Sequence, residues 1–77
     1  MKLIGSWYGN YSEEEIKQDI NRYFNIDVEK LHPGIKILEA EACEFPETLR
    51  YLCEDAKGIF EVEDFFQEEP TWETTYL

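Results

Sequence analysis

The fold depends on the stretch IKILEAEAC at residues 35–43. The β-branched residues at its start favour a strand, whereas the Leu-Glu-Ala-Glu-Ala run that follows has strong helix propensity. A helix is predicted to begin soon afterwards, at Pro46, and two abutting helices would leave the sheet thin. We therefore predict a strand at residues 35–43.

The residues after this strand predict a helix. Pro46 suits the first turn of a helix, and Gly58 stands where a C-terminal cap belongs. Between them, apolar residues recur at helical spacing, at Leu49, Leu52, Cys53 and Ala56.

Two more strands are predicted towards the C-terminus. The stretch IFEVEDFF at residues 59–66 alternates as a strand does, with Glu61 and Glu63 facing outward. Trp72, Thr74 and Tyr76 alternate again, so the last seven residues could add an edge strand.

The residues before the central stretch predict a strand and a helix. LIGSWY at residues 3–8 is typical of a strand. Ser12 and Glu15 form a capping box at the start of a helix of about three turns. Residues 26–31 fit either a short strand or one helical turn, and the HPG sequence at 32–34 predicts a turn. The apolar stripe of the helix consists of Ile16, Ile20, Tyr23 and Phe24.

The predicted order is therefore β, α, short β, β, α, β, followed by an extra C-terminal strand or tail. We expect one α+β domain spanning residues 1–77, with a small antiparallel sheet and two helices packed on one face. This βαββαβ order resembles the ferredoxin-like arrangement, a likeness of element order that implies no function.

The charge of the chain is concentrated in its second half. Residues 1–36 carry six acidic and five basic side chains, and residues 37–77 carry twelve acidic and two basic ones, which together give the net charge of −11. Like charges destabilise a compact state, and solubility requires a net charge of only about 2–8. A solvated acidic face is the simple explanation, but this segregation favours a partner that attracts negative charge.

Several classes of function are disfavoured by the sequence. The single histidine, His32, lies in a predicted turn, and Ser12 is explained as a helix cap, so we expect no catalytic residue and no enzyme activity. No calcium-loop, zinc-ligand or nucleotide-binding spacing is present, so we expect no metal and no cofactor. The negative charge opposes direct binding to nucleic acid or to an anionic membrane.

The two cysteines and the N-terminal region indicate the compartment. Cys43 and Cys53 could bridge the strand at 35–43 to the following helix, but two reduced thiols are favoured because no secretory signal is recognisable. No apolar run reaches the ~18 residues of a membrane span. We therefore expect a cytoplasmic protein.

Acidic side chains in the second half are predicted to form a grid. In a strand, residues i and i+2 face the same way about 6–7 Å apart, so Glu39 with Glu41 and Glu61 with Glu63 form two outward rows. If the two strands are neighbours, the rows lie side by side, and further acids extend the field along the second helix. Exposed aromatic residues would supply anchors, although each could equally pack in the core. The predicted partner-binding residues are Glu39, Glu41, Glu44, Glu47, Glu54, Asp55, Glu61, Glu63, Asp64, Glu68, Glu69, Trp72 and Tyr76.

In size, acidity and compactness the chain resembles the small DNA-mimic inhibitors encoded by phages and plasmids, such as antirestriction and anti-CRISPR proteins. The resemblance implies stoichiometric blockade, in which an acidic face occupies the nucleic-acid channel of a basic nuclease or effector complex. The alternative is an acidic interaction domain, such as an immunity protein against a basic toxin nuclease or a small subunit of an assembly. The protein would act as a monomer or a homodimer.

Crowded acidic side chains predict a specific response to salt. The Debye length falls from ~30 Å at 0.01 M salt to ~10 Å at 0.1 M salt, which screens repulsion between carboxylates. We expect the melting temperature to rise over this range, as measured by circular dichroism. A flat or falling melting temperature would mean that the acids are dispersed or already paired.

Overall fold

The computed structural model describes residues 2–3, 11–44, 47–64 and 69–77. The elements in these residues are β1 (Lys2–Leu3), α1 (Glu13–Phe24), α2 (Val28–Leu31), β2 (Lys36–Glu44), β3 (Glu47–Asp55), β4 (Gly58–Asp64) and β5 (Thr75–Tyr76). The strands form a sheet with the order β1-β2-β3-β4-β5, which packs against the two helices. Strands β2 to β5 are antiparallel, and the short β1 runs parallel to β2.

Helix α1 confirms the predicted capping box and apolar stripe. The Ser12 hydroxyl accepts a hydrogen bond from the Glu15 backbone N–H at 3.2 Å, and the Glu15 carboxylate accepts one from the Ser12 N–H at 3.0 Å. The helix is capped at its C-terminus by Asn25, whose φ of 55° is the left-handed conformation. Ile16, Ile20 and Phe24 are buried, so the local sequence pattern was sufficient to predict this helix.

Residues 26–31 take the helical alternative. Asp27 caps α2 by accepting a hydrogen bond from the Lys30 N–H, and Asn21 of α1 accepts one from the Val28 N–H at 2.8 Å. Val28 is buried beside the apolar face of α1. Neither helix in the described parts of the chain is long and apolar enough to cross a membrane.

Strand β2 confirms the strand prediction for residues 35–43. Ile35, Ile37 and Ala40 are buried, so packing overrides the helix propensity of the Leu-Glu-Ala-Glu-Ala run. The register of β2 against β3 shifts between Ile37 and Glu39. This β-bulge keeps Ile37 and Ala40 on the inner face of the sheet. The Ile37 N–H donates to the Glu13 carboxylate of α1 at 2.7 Å, which attaches the helix to the bulge.

The predicted helix between Pro46 and Gly58 is wrong, because residues Glu47–Asp55 form the central strand β3. Leu49, Tyr51 and Cys53 alternate along it and are buried, which a helix could not achieve between two strands. Leu52 lies half-buried on the opposite face, and Ala56 is exposed in the turn after the strand. Pro46 itself lies outside the described residues.

Gly58 is not a helix cap but the first residue of β4. The two-residue turn at Ala56 and Lys57 joins β3 to β4, and the Asp55 carboxylate accepts a hydrogen bond from the Lys57 N–H at 2.8 Å. The φ of Gly58 is 134°, a conformation that side chains with a Cβ rarely adopt. Glycine is therefore required at position 58, where the chain passes from the turn into β4.

The βαββαβ, ferredoxin-like order is consequently wrong, since strands β2 to β5 all follow both helices. What holds is a small α+β fold with a four-strand antiparallel sheet and two helices. Strand β4 confirms the strand predicted from residue 59, and β5 pairs with it as the C-terminal edge strand. Residues 4–8 of the predicted first strand and residues 65–66 lie outside the described residues.

The core lies between the helices and one face of the sheet. The strand register excludes a Cys43–Cys53 bridge. Cys43 is opposite Thr48 in the pairing of β2 with β3, and Cys53 lies five residues further along β3, roughly 17 Å from that position. A disulfide requires Cα atoms within about 7 Å. Burial raises the pKa of the free Cys53 thiol to about 12. The core residues are Ile16, Ile20, Phe24, Val28, Ile35, Ile37, Ala40, Leu49, Tyr51, Cys53, Phe60 and Val62.

Truncating a core side chain should cost much more stability than truncating an apolar side chain on the opposite face of the sheet. Ile20 is inaccessible to solvent, whereas Ile59 is 38% exposed. We expect Ile20→Ala to lower the free energy of unfolding by about 2–5 kcal/mol and Ile59→Ala by about 1 kcal/mol or less, measured by urea denaturation. Equal costs would contradict this placement of the core.

Candidate functional site

The face of the sheet turned away from the core carries five of the 15 acidic side chains that the structure describes. We call it the outer face. Its residues alternate with the buried ones along β2, β3 and β4, and all are exposed or half-buried. Five are acidic and two are basic. The outer face comprises Lys36, Glu39, Glu41, Thr48, Arg50, Leu52, Glu54, Ile59, Glu61 and Glu63.

Strand register arranges these side chains in cross-strand rows. One row runs through Glu41, Arg50 and Glu63. The next runs through Glu39, Leu52 and Glu61. With strands about 4.8 Å apart and same-face residues about 6.7 Å apart along a strand, the four glutamates mark a rectangle of roughly 10 by 7 Å. Strand β3 runs through its centre.

This arrangement corrects one predicted detail. Glu39 and Glu41 form a column along β2, and Glu61 and Glu63 form a column along β4. These two glutamate columns are not on neighbouring strands, because β3 separates them. The error follows from assigning β3 as a helix. For the same reason, Glu54 lies on the outer face of the sheet rather than on a helix.

Arg50 was not expected at this site and lies at its centre. Its guanidinium donates to the Glu61 carboxylate at 2.8 Å, and the Arg50 side chain remains 51% exposed. That hydrogen bond and the charge of Glu61, with further attraction from Glu41 and Glu63, raise the pKa of Arg50. On the described part of the outer face this is the one ion pair, so Arg50 reduces the negative charge without cancelling it.

Other predicted binding residues lie elsewhere. Glu44 and Glu47 are opposite each other where β2 and β3 meet, and Glu69 is exposed in the C-terminal segment. Glu68 lies outside the described residues. Asp64 is buried and accepts a hydrogen bond from the Tyr23 hydroxyl at 3.0 Å, so its carboxylate belongs to the inner side of the sheet.

A second cluster joins the end of α2, the end of β3 and the C-terminal segment. We call it the clasp, and it consists of His32, Asp55, Trp72 and Tyr76. Asp55 Oδ2 lies 2.9 Å from His32 Nδ1 and accepts a hydrogen bond from the Tyr76 hydroxyl at 2.5 Å. The side chains of His32 and Asp55 are only 10% and 7% exposed. Asp55 is therefore not an outward-facing acid.

The tautomer of His32 follows from its neighbours. The Trp72 indole N–H lies 3.1 Å from His32 Nε2 and can only donate, so Nε2 accepts. The proton of the neutral ring is then on Nδ1 and is donated to Asp55. Both ring nitrogens of His32 therefore have a hydrogen-bond partner in the folded protein.

The two predicted aromatic anchors belong to the clasp. The Trp72 ring is half-buried and packs edge-on against Phe24 at 5.1 Å and Phe60 at 6.4 Å between ring centroids. Trp72 therefore takes the core-packing alternative. Tyr76 is 40% exposed, but its hydroxyl is bound to Asp55.

Hydrogen bonding in the clasp shifts two pKa values in opposite directions. The hydroxyl of Tyr76, together with His32 and the Lys57 N–H, lowers the pKa of Asp55 to about 2. The same hydrogen bond to Asp55 raises the pKa of Tyr76 to about 12. Asp55 is thus a carboxylate with fixed partners over the ordinary pH range.

The described side chains include no group of three or more histidine, cysteine, aspartate or glutamate residues placed to hold a metal ion. The clasp itself was missed by sequence reasoning. His32 and Asp55 are separated by 23 residues, and His32 and Trp72 by 40. No local pattern connects residues so far apart.

No protein-family model, curated protein or solved structure matches the chain.

The Tyr76–Asp55 hydrogen bond predicts a loss of stability at alkaline pH. The pKa of Tyr76 is about 12 in the folded protein against an ordinary 10.0, so its contribution is complete below pH 10 and lost as the pH rises through about 12. We expect the difference in unfolding free energy between wild type and Tyr76→Phe to be constant near neutral pH and to shrink over this range, in urea titrations. In an Asp55→Asn background the pH dependence should disappear. A difference that persists unchanged at pH 12 would contradict this role of the hydroxyl.

Proposed function

We propose that this protein is a non-catalytic inhibitor that binds a basic nucleic-acid-binding protein through its outer face, in the place of nucleic acid. The observation that carries the proposal is the pair of glutamate columns on the outer face, Glu39 with Glu41 on β2 and Glu61 with Glu63 on β4. Strand pairing fixes the backbone of both columns, so a partner meets negative charge in a set pattern.

The spacing of the columns supports mimicry of a duplex. They lie roughly 10 Å apart, between the widths of the minor groove, about 6 Å, and the major groove, about 12 Å. A nuclease or effector that contacts phosphates with lysine and arginine would meet carboxylates at similar separations. A sheet also twists, which turns successive rows relative to one another as phosphates turn along a helix.

The electrostatics support fast binding rather than tight binding by charge alone. Exposed ion pairs contribute only about 0–1 kcal/mol each, but charge complementarity can raise association rates by about 10- to 1,000-fold. Apolar contact on the same face would come from Leu52 and Ile59, which lie among the charges. These two residues replace the aromatic anchors that the sequence suggested.

The counter-defence type is the finer part of the proposal. Together with the resemblance to small phage and plasmid DNA mimics, an acidic sheet face favours an antirestriction or anti-CRISPR role in the cytoplasm. The mechanism is stoichiometric blockade: the outer face occupies the basic channel and excludes the nucleic acid.

One observation favours a second candidate, an acidic interaction domain such as an immunity protein. Arg50 places a positive charge at the centre of the outer face, beside the apolar Leu52. A nucleic-acid mimic needs no such charge, whereas a protein partner could place an acidic side chain against it. The two candidates differ in whether DNA competes with the protein for its partner.

Two variants with equal charge changes test the role of the outer face. The first carries Glu39→Gln, Glu41→Gln and Glu63→Gln. The second carries Glu14→Gln, Glu29→Gln and Glu73→Gln, which are exposed acids on other parts of the molecule. Each removes three negative charges, so net charge alone cannot distinguish them.

We expect the outer-face variant to bind its purified partner at least about tenfold more weakly, mainly through slower association, and the control variant to bind like wild type. The partner is captured from nuclease-treated lysate, purified and measured by surface plasmon resonance. A 20-bp DNA duplex should displace wild type from it. Equal losses in both variants would contradict the outer face as the site, and binding that persists in saturating DNA would favour the immunity-type candidate.

A further inference from the structure

The clasp holds the C-terminal segment, residues 69–77, to the rest of the fold. Strand β5 is only two residues long and pairs with Phe60 and Glu61 of β4. Beyond it, the Leu77 N–H donates to the Ile59 carbonyl at 2.9 Å. Among the described residues, the segment is attached by the pairing of β5 with β4, by the Leu77 hydrogen bond and by the side chains of Trp72 and Tyr76.

The ring of His32 is the centre of this attachment. It stacks on Phe60 with ring centroids 4.5 Å apart, and each of its nitrogens has one partner. On one side Nδ1–H donates to Asp55, and on the other Nε2 accepts from Trp72. The arrangement requires a neutral ring.

Protonation of His32 would affect its two partners differently. A proton on Nε2 would face the indole N–H of Trp72, and two donors cannot share a hydrogen bond. The pairing of Nδ1–H with the Asp55 carboxylate would become a charged pair and persist. Asp55 Oδ2 accepts from both the His32 Nδ1–H and the Tyr76 hydroxyl, and protonation at Nε2 leaves both of these hydrogen bonds in place.

We propose that the clasp is a pH-sensitive latch: protonation of His32 releases residues 69–77 from the sheet, beginning at Trp72. Histidine is the side chain whose charge ordinarily changes between about pH 5 and 8. A segment that joins the sheet through a two-residue strand belongs to the least stable part of a fold. Loss of the Trp72 hydrogen bond would shift the equilibrium of the segment toward release, against the remaining packing of the Trp72 ring on Phe24, Tyr51 and Phe60. This inference is independent of the proposed function.

The titratable groups around His32 come from three elements. Asp55 at the end of β3 contacts the ring directly, and Tyr76 of β5 reaches it through Asp55. Lys57 in the turn contacts Asp55 through its backbone N–H. Asp55 stays ionised throughout the titration of a histidine, so the change of charge within the clasp occurs on His32.

The latch is tested by NMR on the full chain between about pH 8 and 5. The Cε1–H signal of His32 reports its protonation, and hydrogen-exchange protection of the Trp72 indole N–H and the Leu77 amide reports attachment of the segment. We expect both protection factors to fall at least about fivefold with the same midpoint as the His32 signal. The Tyr51 amide in the central strand should keep its protection.

Two variants separate the latch from general unfolding. His32→Gln can donate to Asp55 and accept from Trp72 without titrating, so its C-terminal protection should stay constant over this pH range. Trp72→Phe keeps an aromatic ring but has no donor, so the Leu77 amide should be less protected at pH 8 and its protection should no longer vary with pH. Loss of protection in His32→Gln at the wild-type midpoint would overturn the latch. So would an intact Trp72 signal when His32 is fully protonated, or a pH dependence that persists in Trp72→Phe.

Discussion

Burial of one face of the central strand β3 is the constraint on which the rest of this structure depends. Leu49, Tyr51 and Cys53 point into the core between the helices and the sheet. Because successive side chains of a strand face opposite ways, that burial forces Arg50 and Leu52 outward. The last residue of the strand, Asp55, then reaches the clasp. One alternating segment thus positions the core, the outer face and the anchor of the C-terminal segment.

The sheet accommodates its acidic side chains in two ways. On the outer face they remain in contact with water, where repulsion is reduced by solvent and by Arg50. On the inner side, Asp55 and Asp64 are bound by hydroxyl groups of tyrosines. In the described part of the chain no buried side-chain nitrogen or oxygen lacks a hydrogen-bond partner. The protein therefore avoids the cost of an unsatisfied buried carboxylate.

The two environments differ in how accessible they leave the acids of the sheet. The acids of the outer face stand at fixed cross-strand positions and remain accessible to solvent. The inner acids, fixed by their partners, are unsuited to meeting another protein. They instead hold the chain together at places where His32 and Tyr23 approach the sheet.

How much could be predicted depended on how local each signal was. The capping box and apolar stripe of α1, and the alternation in β4, involve neighbouring residues, and both predictions are confirmed. The β3 segment carried two overlapping patterns. Leu49, Leu52, Cys53 and Ala56 fit a helix, while Leu49, Tyr51 and Cys53 fit a strand, and over nine residues periodicity cannot separate them. Placement between β2 and β4 decided the outcome, because only an extended segment can pair on both edges.

The sequence by itself determined the first helix, the strand character of residues 35–43 and the concentration of acids in the second half, since each follows from neighbouring residues or from composition. Only the tertiary structure decided which acids share a surface. Cross-strand register placed Glu41, Arg50 and Glu63 in one row, and the return of the chain end brought Trp72 and Tyr76 to His32 and Asp55. Such contacts join residues far apart in the chain, and their geometry exists only once strands pair and the core closes.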